Sequence, residues 1–278
     1  MLSKKTKEKD LIGVFDSGLG GLTILKYFLA ELPNYNYLYL ADNARLPYGS
    51  KTPEIIYQYT KEGVDFLFQQ GCKLVILACN TASAYALDRL REEYLPKHFP
   101  DRRIFGVIRP LAEAVSSSSA SRVGILATQA TVDSEVYLQK IKKLNPQIKV
   151  WQSSAPLLVP LIEEGWLKRP ETNMIIKKYL RPLKVKQIDT LLLACTHYPI
   201  LYQEIKRIGG RRLKVLHPGE IIANSLKEYL TKHPDFIKPS RRPSETYYVT
   251  NKAARFKRSA EKFLEHKIKT VKEIDITL

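Results

Sequence analysis

Residues 73–81 read KLVILACNT, and residues 190–197 read TLLLACTH. Each stretch is an apolar run that stops at Ala-Cys and continues with small polar residues. Short, uninterrupted apolar runs of this kind are typical of strands in a parallel sheet that helices cover on both faces. Cys79 and Cys195 therefore fall at the carboxyl ends of two buried strands, a domain's length apart in the chain.

Outward from these stretches, apolar runs alternate with amphipathic segments of helical period. A strand is predicted over residues 12–15 and a helix over 20–31, and the pattern continues to a helix over 82–94. A second series begins with a predicted strand over 104–107. Strands that alternate with helices indicate parallel sheets. We therefore expect an α/β protein built from two similar halves, which 278 residues are enough to fill.

The charge balance is strongly basic, with 45 Lys and Arg against 28 Asp and Glu, a net charge of +17. A basic chain can bind nucleic acid or attract anionic small molecules. It can also carry basic, solvated faces on ordinary helices, as over residues 251–262. Because the sequence has no RNA-recognition, zinc-finger or helix-turn-helix signature, we favour solvated faces and expect no nucleic-acid partner.

The cysteine content and the apolar runs indicate the cellular compartment of the protein. None of the three cysteines forms a CxxC pair, which argues against a disulfide framework or a zinc ribbon and fits a reducing compartment. No run approaches the ~18 apolar residues that span a bilayer. We expect a cytoplasmic protein with no membrane partner and no metal.

Polar residues follow the first two predicted strands. Asp16 and Ser17 are followed by three glycines, but the third glycine of a GxGxxG loop would fall at Thr23, and there is no Walker motif. This leaves an acid and a hydroxyl at a strand end, where ligands bind in open parallel sheets. The second strand leads into residues 42–49, DNARLPYG, which fit either a functional loop or a plain turn with a surface tyrosine.

The three cysteines have different surroundings. Cys72 sits beside Gly71 before a predicted strand, has no polar partners, and is expected to be a small buried apolar residue. Cys79 precedes Asn-Thr and Cys195 precedes Thr-His, so each has hydrogen-bonding neighbours where a helix begins. A thiol hydrolase would leave Cys79 unused, and a zinc site with His197 would lack a fourth ligand. A pair of acid–base thiols explains both positions, and all three alternatives stay open on the pattern alone.

Five motifs in order make the chain similar to the glutamate racemases of the cofactor-independent aspartate/glutamate racemase superfamily. The resemblance runs from residue 12 to residue 278. The motifs are GVFDSGLGGLT at 13–23, the Ala44–Gly49 loop, ACNTAS at 78–83, LVPLIEEG at 158–165 and CTHYP at 195–199.

The resemblance implies a fold and an assembly. It implies two pseudosymmetric, flavodoxin- or Rossmann-like α/β domains with parallel sheets and the active site between them. The first domain would cover 1–103 and be completed by 221–278, and the second would cover 104–220. The resemblance further implies a homodimer, no cofactor, and glutamate as the small-molecule substrate.

It also implies the site residues. Cys79 and Cys195 would be the catalytic acid–bases, with Asp16 and Asp42 assisting the first thiol and Glu163 and His197 the second. Substrate binding would fall to residues from four strand ends: Asp16, Ser17, Pro47, Tyr48, Gly49, Asn80, Thr81, Thr196 and His197.

The chemistry of racemisation fits two thiols. The α-proton leaves one face of the substrate and another proton arrives on the opposite face, so two opposed groups avoid any turning of the substrate. A free cysteine titrates near ~8.5, so a modest shift leaves one as a thiolate. The expected function is interconversion of L- and D-glutamate, which supplies D-glutamate for peptidoglycan. The alternatives are an aspartate or other amino-acid racemase, or a non-catalytic, basic nucleic-acid-binding relative.

Overall fold

The computed structural model describes residues 10–276; residues 1–9 and 277–278 lie outside this range. The strands in chain order are β1 Leu11–Asp16, β2 Asn36–Ala41, β3 Cys72–Leu77, β4 Arg103–Gly106, β5 Arg122–Ala127, β6 Lys149–Ser154, β7 Thr190–Ala194, β8 Lys214–Val215, β9 Glu245–Val249 and β10 Val271–Glu273. The α-helices are α1 Leu22–Glu31, α2 Pro53–Gln69, α3 Asn80–Arg89, α4 Leu95–His98, α5 Ile108–Ser116, α6 Gln129–Asp133, α7 Val136–Leu144, α8 Leu158–Glu163, α9 Pro170–Val185, α10 Tyr202–Gly209, α11 Pro218–Lys232 and α12 Ala253–Leu264.

The strands form two sheets in which every described pair is parallel. The first sheet has the order β10-β9-β2-β1-β3-β4 and the second β6-β5-β7-β8. Strands such as β2 and β7 are buried along their whole length, as their apolar runs predicted. The expected α/β class with parallel sheets is confirmed.

One strand lies in a different sheet from the one expected. The strand predicted over 104–107 was expected to begin the second half, but β4 pairs with β3 in the first sheet. A parallel strand pairs with a distant segment, so its own residues do not show which sheet it joins. The boundary predicted at residue 103 coincides with the first residue of β4, and the division into two domains stays a prediction.

The late return of the chain extends the first sheet. β9 pairs with β2, and β10 lies beyond it at the edge. The helix α12, which follows β9, packs Phe256 against Tyr39 of β2, with ring centroids 5.9 Å apart. Residues more than 200 positions apart thus build one face of this sheet.

Two predicted helices are interrupted. The segment 82–94 passes through a wider π-helical turn over Leu90–Tyr94 before α4 begins next to Pro96. The apolar pattern also predicts one helix over residues 133–144, but Asp133 ends α6 and α7 begins only at Val136, after Glu135, whose φ is 52°. A left-handed residue cannot continue a right-handed helix. No helix between residues 10 and 276 combines the length and the apolar character that crossing a membrane requires.

Candidate active site

A cavity of about 310 Å³ lies where the carboxyl ends of strands from both sheets converge, and both Cys79 and Cys195 line it. Its walls come from segments that follow β1, β2, β3, β5, β6 and β7. The following predicted residues line it as well: Ser17, Pro47, Tyr48, Gly49, Asn80, Thr81, Thr196 and His197. The third cysteine, Cys72, is buried in the apolar core, as expected.

Three predicted residues lie behind the wall of the cavity. Asp16 is fully buried and bonds to Thr196. Asp42 bonds to Tyr48, and Glu163 bonds to His197. Each of these carboxylates thus contacts a residue that lines the cavity and does not line it itself.

Cys79 lies between the end of β3 and the start of α3. Its Sγ lies 3.6 Å from the hydroxyl of Ser17, which follows β1. Burial and, to a smaller extent, the nearby Asp16 charge raise the pKa of the Cys79 thiol to about 12, against the opposing contacts of the Ala82 amide and Ser17. At neutral pH Cys79 is therefore a neutral thiol, able to donate a proton.

Asp16 links the two halves of the site. Its carboxylate accepts a hydrogen bond from the Gly18 amide at 3.0 Å and another from the Thr196 hydroxyl at 3.0 Å. Burial raises the pKa of Asp16 to about 6, although the charge of His197 and these hydrogen bonds act in the opposite direction. The backbone of Thr196 is held in turn, because its carbonyl accepts from the Thr23 hydroxyl at 3.0 Å.

His197 and Glu163 form an ion pair next to the second cysteine. Nε2 of His197 lies 2.7 Å from a carboxylate oxygen of Glu163. Burial lowers the pKa of His197, but its contacts with Cys195 and Glu163 outweigh burial and raise it to about 10. Burial likewise disfavours the charged form of Glu163, yet the hydrogen bond to His197 keeps its pKa below the usual value. Both directions describe an imidazolium paired with a carboxylate at neutral pH.

Little room is left around His197. A side chain at Gly20 would place its Cβ 2.5 Å from both the His197 Nδ1 and the Thr196 hydroxyl. The backbone of the first glycine-rich loop therefore touches the residues that follow Cys195. This explains the need for glycine at that position better than a phosphate loop does.

The loop that carries Tyr48 forms part of the cavity wall. Tyr48 is only 1% exposed, so the alternative of a surface tyrosine in a plain turn is wrong. Its hydroxyl donates to Asp42, which also accepts from Arg45 Nε at 2.7 Å and from the Thr250 hydroxyl at 3.0 Å. Burial and the Asp42 charge hold the pKa of Tyr48 well above its usual range, so it stays a neutral donor.

Sequence reasoning missed six residues of the cavity wall: Leu46, Ser50, Thr128, Gln129, Pro156 and Val159. Thr128 follows β5, and its hydroxyl lies 2.9 Å from that of Thr81 and 2.9 Å from that of Thr131. The strand-end rule, applied to β5, would have found Thr128. Pro156 and Val159 are apolar and carry no chemical signal.

The cavity combines two thiols with neutral hydrogen-bond donors. No Lys or Arg side chain is among the described residues that line it. Its polar side chains are hydroxyls and the Asn80 and Gln129 amides, with His197 as the cation. Two thiols therefore share one small cavity with these polar groups.

Comparison with known proteins assigns the family. A family model described as "Asp/Glu/Hydantoin racemase" matches residues 23–226. The chain belongs to this family. It is 37% identical over 277 residues to the glutamate racemase of Syntrophus aciditrophicus, covering 99% of this chain and 100% of that protein. It is 41% identical over 223 residues to that of Chlorobaculum parvum, covering 80% of each.

Solved structures agree in fold. A glutamate racemase from Francisella tularensis in complex with D-glutamate superposes with a TM-score of 0.87 at 33% identity, covering 97% of this chain and 98% of that one. A glutamate racemase from Bacillus anthracis gives 0.89 at 31% identity, covering 96% and 98%. An aspartate racemase from Picrophilus torridus, at 20% identity and a TM-score of 0.53, shares the fold alone.

Proposed function

We propose that the protein interconverts L- and D-glutamate by proton transfer between the substrate and two cysteines. The observation that carries the proposal is that Cys79 and Cys195, from strands of different sheets, line the same cavity. The identity to glutamate racemases over nearly the whole chain supports glutamate as substrate.

The two thiols have different surroundings. Cys79 is a thiol because burial and Asp16 disfavour its thiolate. Cys195 forms a side-chain hydrogen bond with the His197 imidazolium. We assign proton abstraction from L-glutamate to Cys195 and from D-glutamate to Cys79. In each direction the opposite thiol donates a proton, so the cysteines exchange forms at every turnover.

The carbanion intermediate needs stabilisation at its carboxylate. Hydrogen-bond donors fixed in a water-poor cavity stabilise charge as it develops. Asn80 is held for this role, because its side-chain oxygen accepts from the Tyr137 hydroxyl while its amide N–H groups have no acceptor among residues 10–276. The hydroxyls of Ser17 and Thr81 stand in the same wall.

The remaining roles follow from the contacts behind the wall. Asp16 fixes Thr196, Asp42 fixes Tyr48, and Glu163 keeps His197 charged. The amides and hydroxyls around Tyr48, Gly49 and Thr81 would hold the two carboxylates of glutamate. An aspartate racemase is the second candidate, since aspartate is shorter by one methylene and presents the same groups.

In the cell, we propose that the enzyme acts in the cytoplasm, supplies D-glutamate for peptidoglycan and works as a homodimer. Light scattering on the purified protein tests the last point: a mass near twice 31.9 kDa is expected, and a mass of one chain would contradict it.

Circular dichroism of purified protein with L-glutamate, D-glutamate or L-aspartate, without added cofactor, tests the function. We expect both glutamate enantiomers to lose optical activity and aspartate to react at least about tenfold more slowly, because a binding site discriminates one methylene by about 10- to 200-fold. Faster reaction with aspartate would favour the second candidate. Salt-sensitive DNA binding without racemisation would favour a non-catalytic relative.

Matched cysteine variants test the mechanism. Cys79→Ala and Cys195→Ala should each lower kcat by about 10²- to 10⁴-fold, the usual contribution of a general acid–base. Cys72→Ala, which removes the core thiol, should racemise glutamate normally wherever it remains folded. Normal activity in either of the first two variants would exclude the two-thiol mechanism.

A further inference from the structure

Glu163 is the last residue of α8, a helix of only six residues. The carbonyl groups at the end of a helix have no partners within the helix. The chain turns away immediately at Gly165, whose φ is +75°. Within the described residues, the backbone amides that follow α8 bond the carbonyls of Pro160, Leu161 and Ile162 but not that of Glu163, so the last carbonyl of this short helix is left for support from an external donor.

Arg255, on α12, supplies that support. Its Nη2 donates to the Glu163 backbone carbonyl at 2.8 Å and lies 3.2 Å from a carboxylate oxygen of Glu164. A cation at the C-terminal end of a helix is also favoured by the helix dipole. Arg255 thus supports the end of α8 from an element 92 residues further along the chain.

The helix that carries Arg255 is itself anchored next to the site. Phe256, the next residue, stacks on Tyr39, and the Tyr39 hydroxyl donates to the Gly18 carbonyl at 2.7 Å. Gly18 in turn donates its amide to Asp16. One turn of α12 therefore contacts the helix end that carries Glu163 and is connected through Tyr39 to the glycine-rich loop behind Asp16.

We propose that Arg255 is a positioning residue for racemisation, which holds the end of α8 so that Glu163 stays bonded to His197. The role rests on the proposed function and reaches substrate only through Glu163, His197 and Cys195. Of its two contacts, the hydrogen bond to the carbonyl matters most. The contact with Glu164 joins side chains that are 46% and 67% exposed, and such ion pairs contribute little.

The direction in which the pKa of His197 changes distinguishes a positioning role of Arg255 from a purely electrostatic one. The charged or titratable groups facing His197 are Asp16, Cys195 and Glu163, with the Arg255 cation behind Glu163. Removing a cation would by itself raise the pKa of His197. Loosening Glu163 would lower it, because the imidazolium would lose its partner.

The test compares Arg255→Met, Arg255→Lys and the matched control Arg258→Met, by NMR titration of His197 and by glutamate kinetics. Arg258 is exposed on the same helix, and within the described residues it has no hydrogen bond or ion pair. The His197 signal is identified by its absence from the spectrum of a His197→Gln variant, and thermal melting shows that each variant is folded.

We expect Arg255→Met to lower the His197 midpoint by about half a pH unit or more and to reduce kcat by about three- to tenfold, since small displacements of catalytic groups are costly. KM should change less. Arg255→Lys should recover part of both effects, and Arg258→Met should match the parent. A midpoint that stays the same or rises in Arg255→Met would overturn the positioning role. Because the titration needs no substrate, it remains decisive even if the parent protein fails to racemise glutamate, the result that would refute the proposed function.

Discussion

The hydroxyl of Thr196 donates a hydrogen bond to the Asp16 carboxylate at 3.0 Å, although 180 residues separate the two in sequence. Asp16 ends β1 of the first sheet, and Thr196 follows β7 of the second, one residue after Cys195. This contact joins the surroundings of the two thiols. A change of charge at Asp16 therefore affects the surroundings of both Cys79 and Cys195.

Asp16 should set the acid side of the pH dependence. Its pKa is raised to about 6, chiefly by burial, so protonation begins to remove its charge below that pH. We expect kcat/KM for glutamate to fall below pH 6, where glutamate itself keeps its charges. Asp16→Asn should be slow and nearly independent of pH between 5 and 7. The exposed control Asp235→Asn should keep the parent profile; an unchanged acid limb in Asp16→Asn would exclude Asp16 as its source.

Glu163→Gln should change both activity and stability. Without the carboxylate, the pKa of His197 should drop from about 10 toward its usual 6.5, and kcat/KM should fall at neutral pH. The loss should be equal for both enantiomers, because L- and D-glutamate have the same free energy in solution.

The stability change has a definite sign. Folded parent protein keeps the His197 proton up to about pH 10, whereas the unfolded chain releases it near 6.5. This group's contribution to the free energy of unfolding is thus full below 6.5 and is lost as the pH rises toward 10. Urea unfolding should show that the free energy of unfolding decreases less between pH 6.5 and pH 9.5 in Glu163→Gln than in the parent or in the neighbouring control Glu164→Gln. An equal loss in all three would contradict the ion pair.

Thr128 should contribute to substrate affinity. Its hydroxyl stands in a cavity wall whose described residues include no Lys or Arg, so hydroxyl donors matter for a dicarboxylate. We expect Thr128→Ala to raise KM for glutamate by about tenfold, the size of one lost hydrogen bond to a charged group. Thr128→Ser keeps the hydroxyl and the cap of α6 and should stay within about twofold of the parent. Similar KM values for the two variants would argue against a binding role.

The sequence predicted the site better than the assignment of strands to sheets. Ligand-binding residues in parallel sheets gather at the carboxyl ends of strands, which made Cys79 and Cys195 candidate site residues. That they share one cavity was implied only by the resemblance to the racemase family, because the two strands belong to different sheets. The assignment of β4 failed because parallel pairing joins segments that are distant in sequence. Thr128 was overlooked because a lone threonine after a strand resembles an ordinary helix cap, a role that it also has.

The contacts of Arg255 behind the cavity wall could not be predicted from the sequence. The motif around Glu163 was visible, but nothing in residues 251–262 indicated that Arg255 would reach the end of α8. In the sequence, Arg255 looks like one more cation on a basic, solvated helix. Its role depends on the late return of the chain to the first sheet, which only the tertiary structure reveals.

The position of deuterium after reaction of L-glutamate in deuterated water tests the two-thiol account most directly. Cys195 removes the protium, and Cys79, already exchanged with solvent, donates deuterium to the other face. At low conversion we predict D-glutamate that is fully deuterated at Cα and recovered L-glutamate that still carries protium. D-Glutamate that retains protium, or recovered L-glutamate that gains deuterium before product forms, would show a single base serving both faces and would contradict the account.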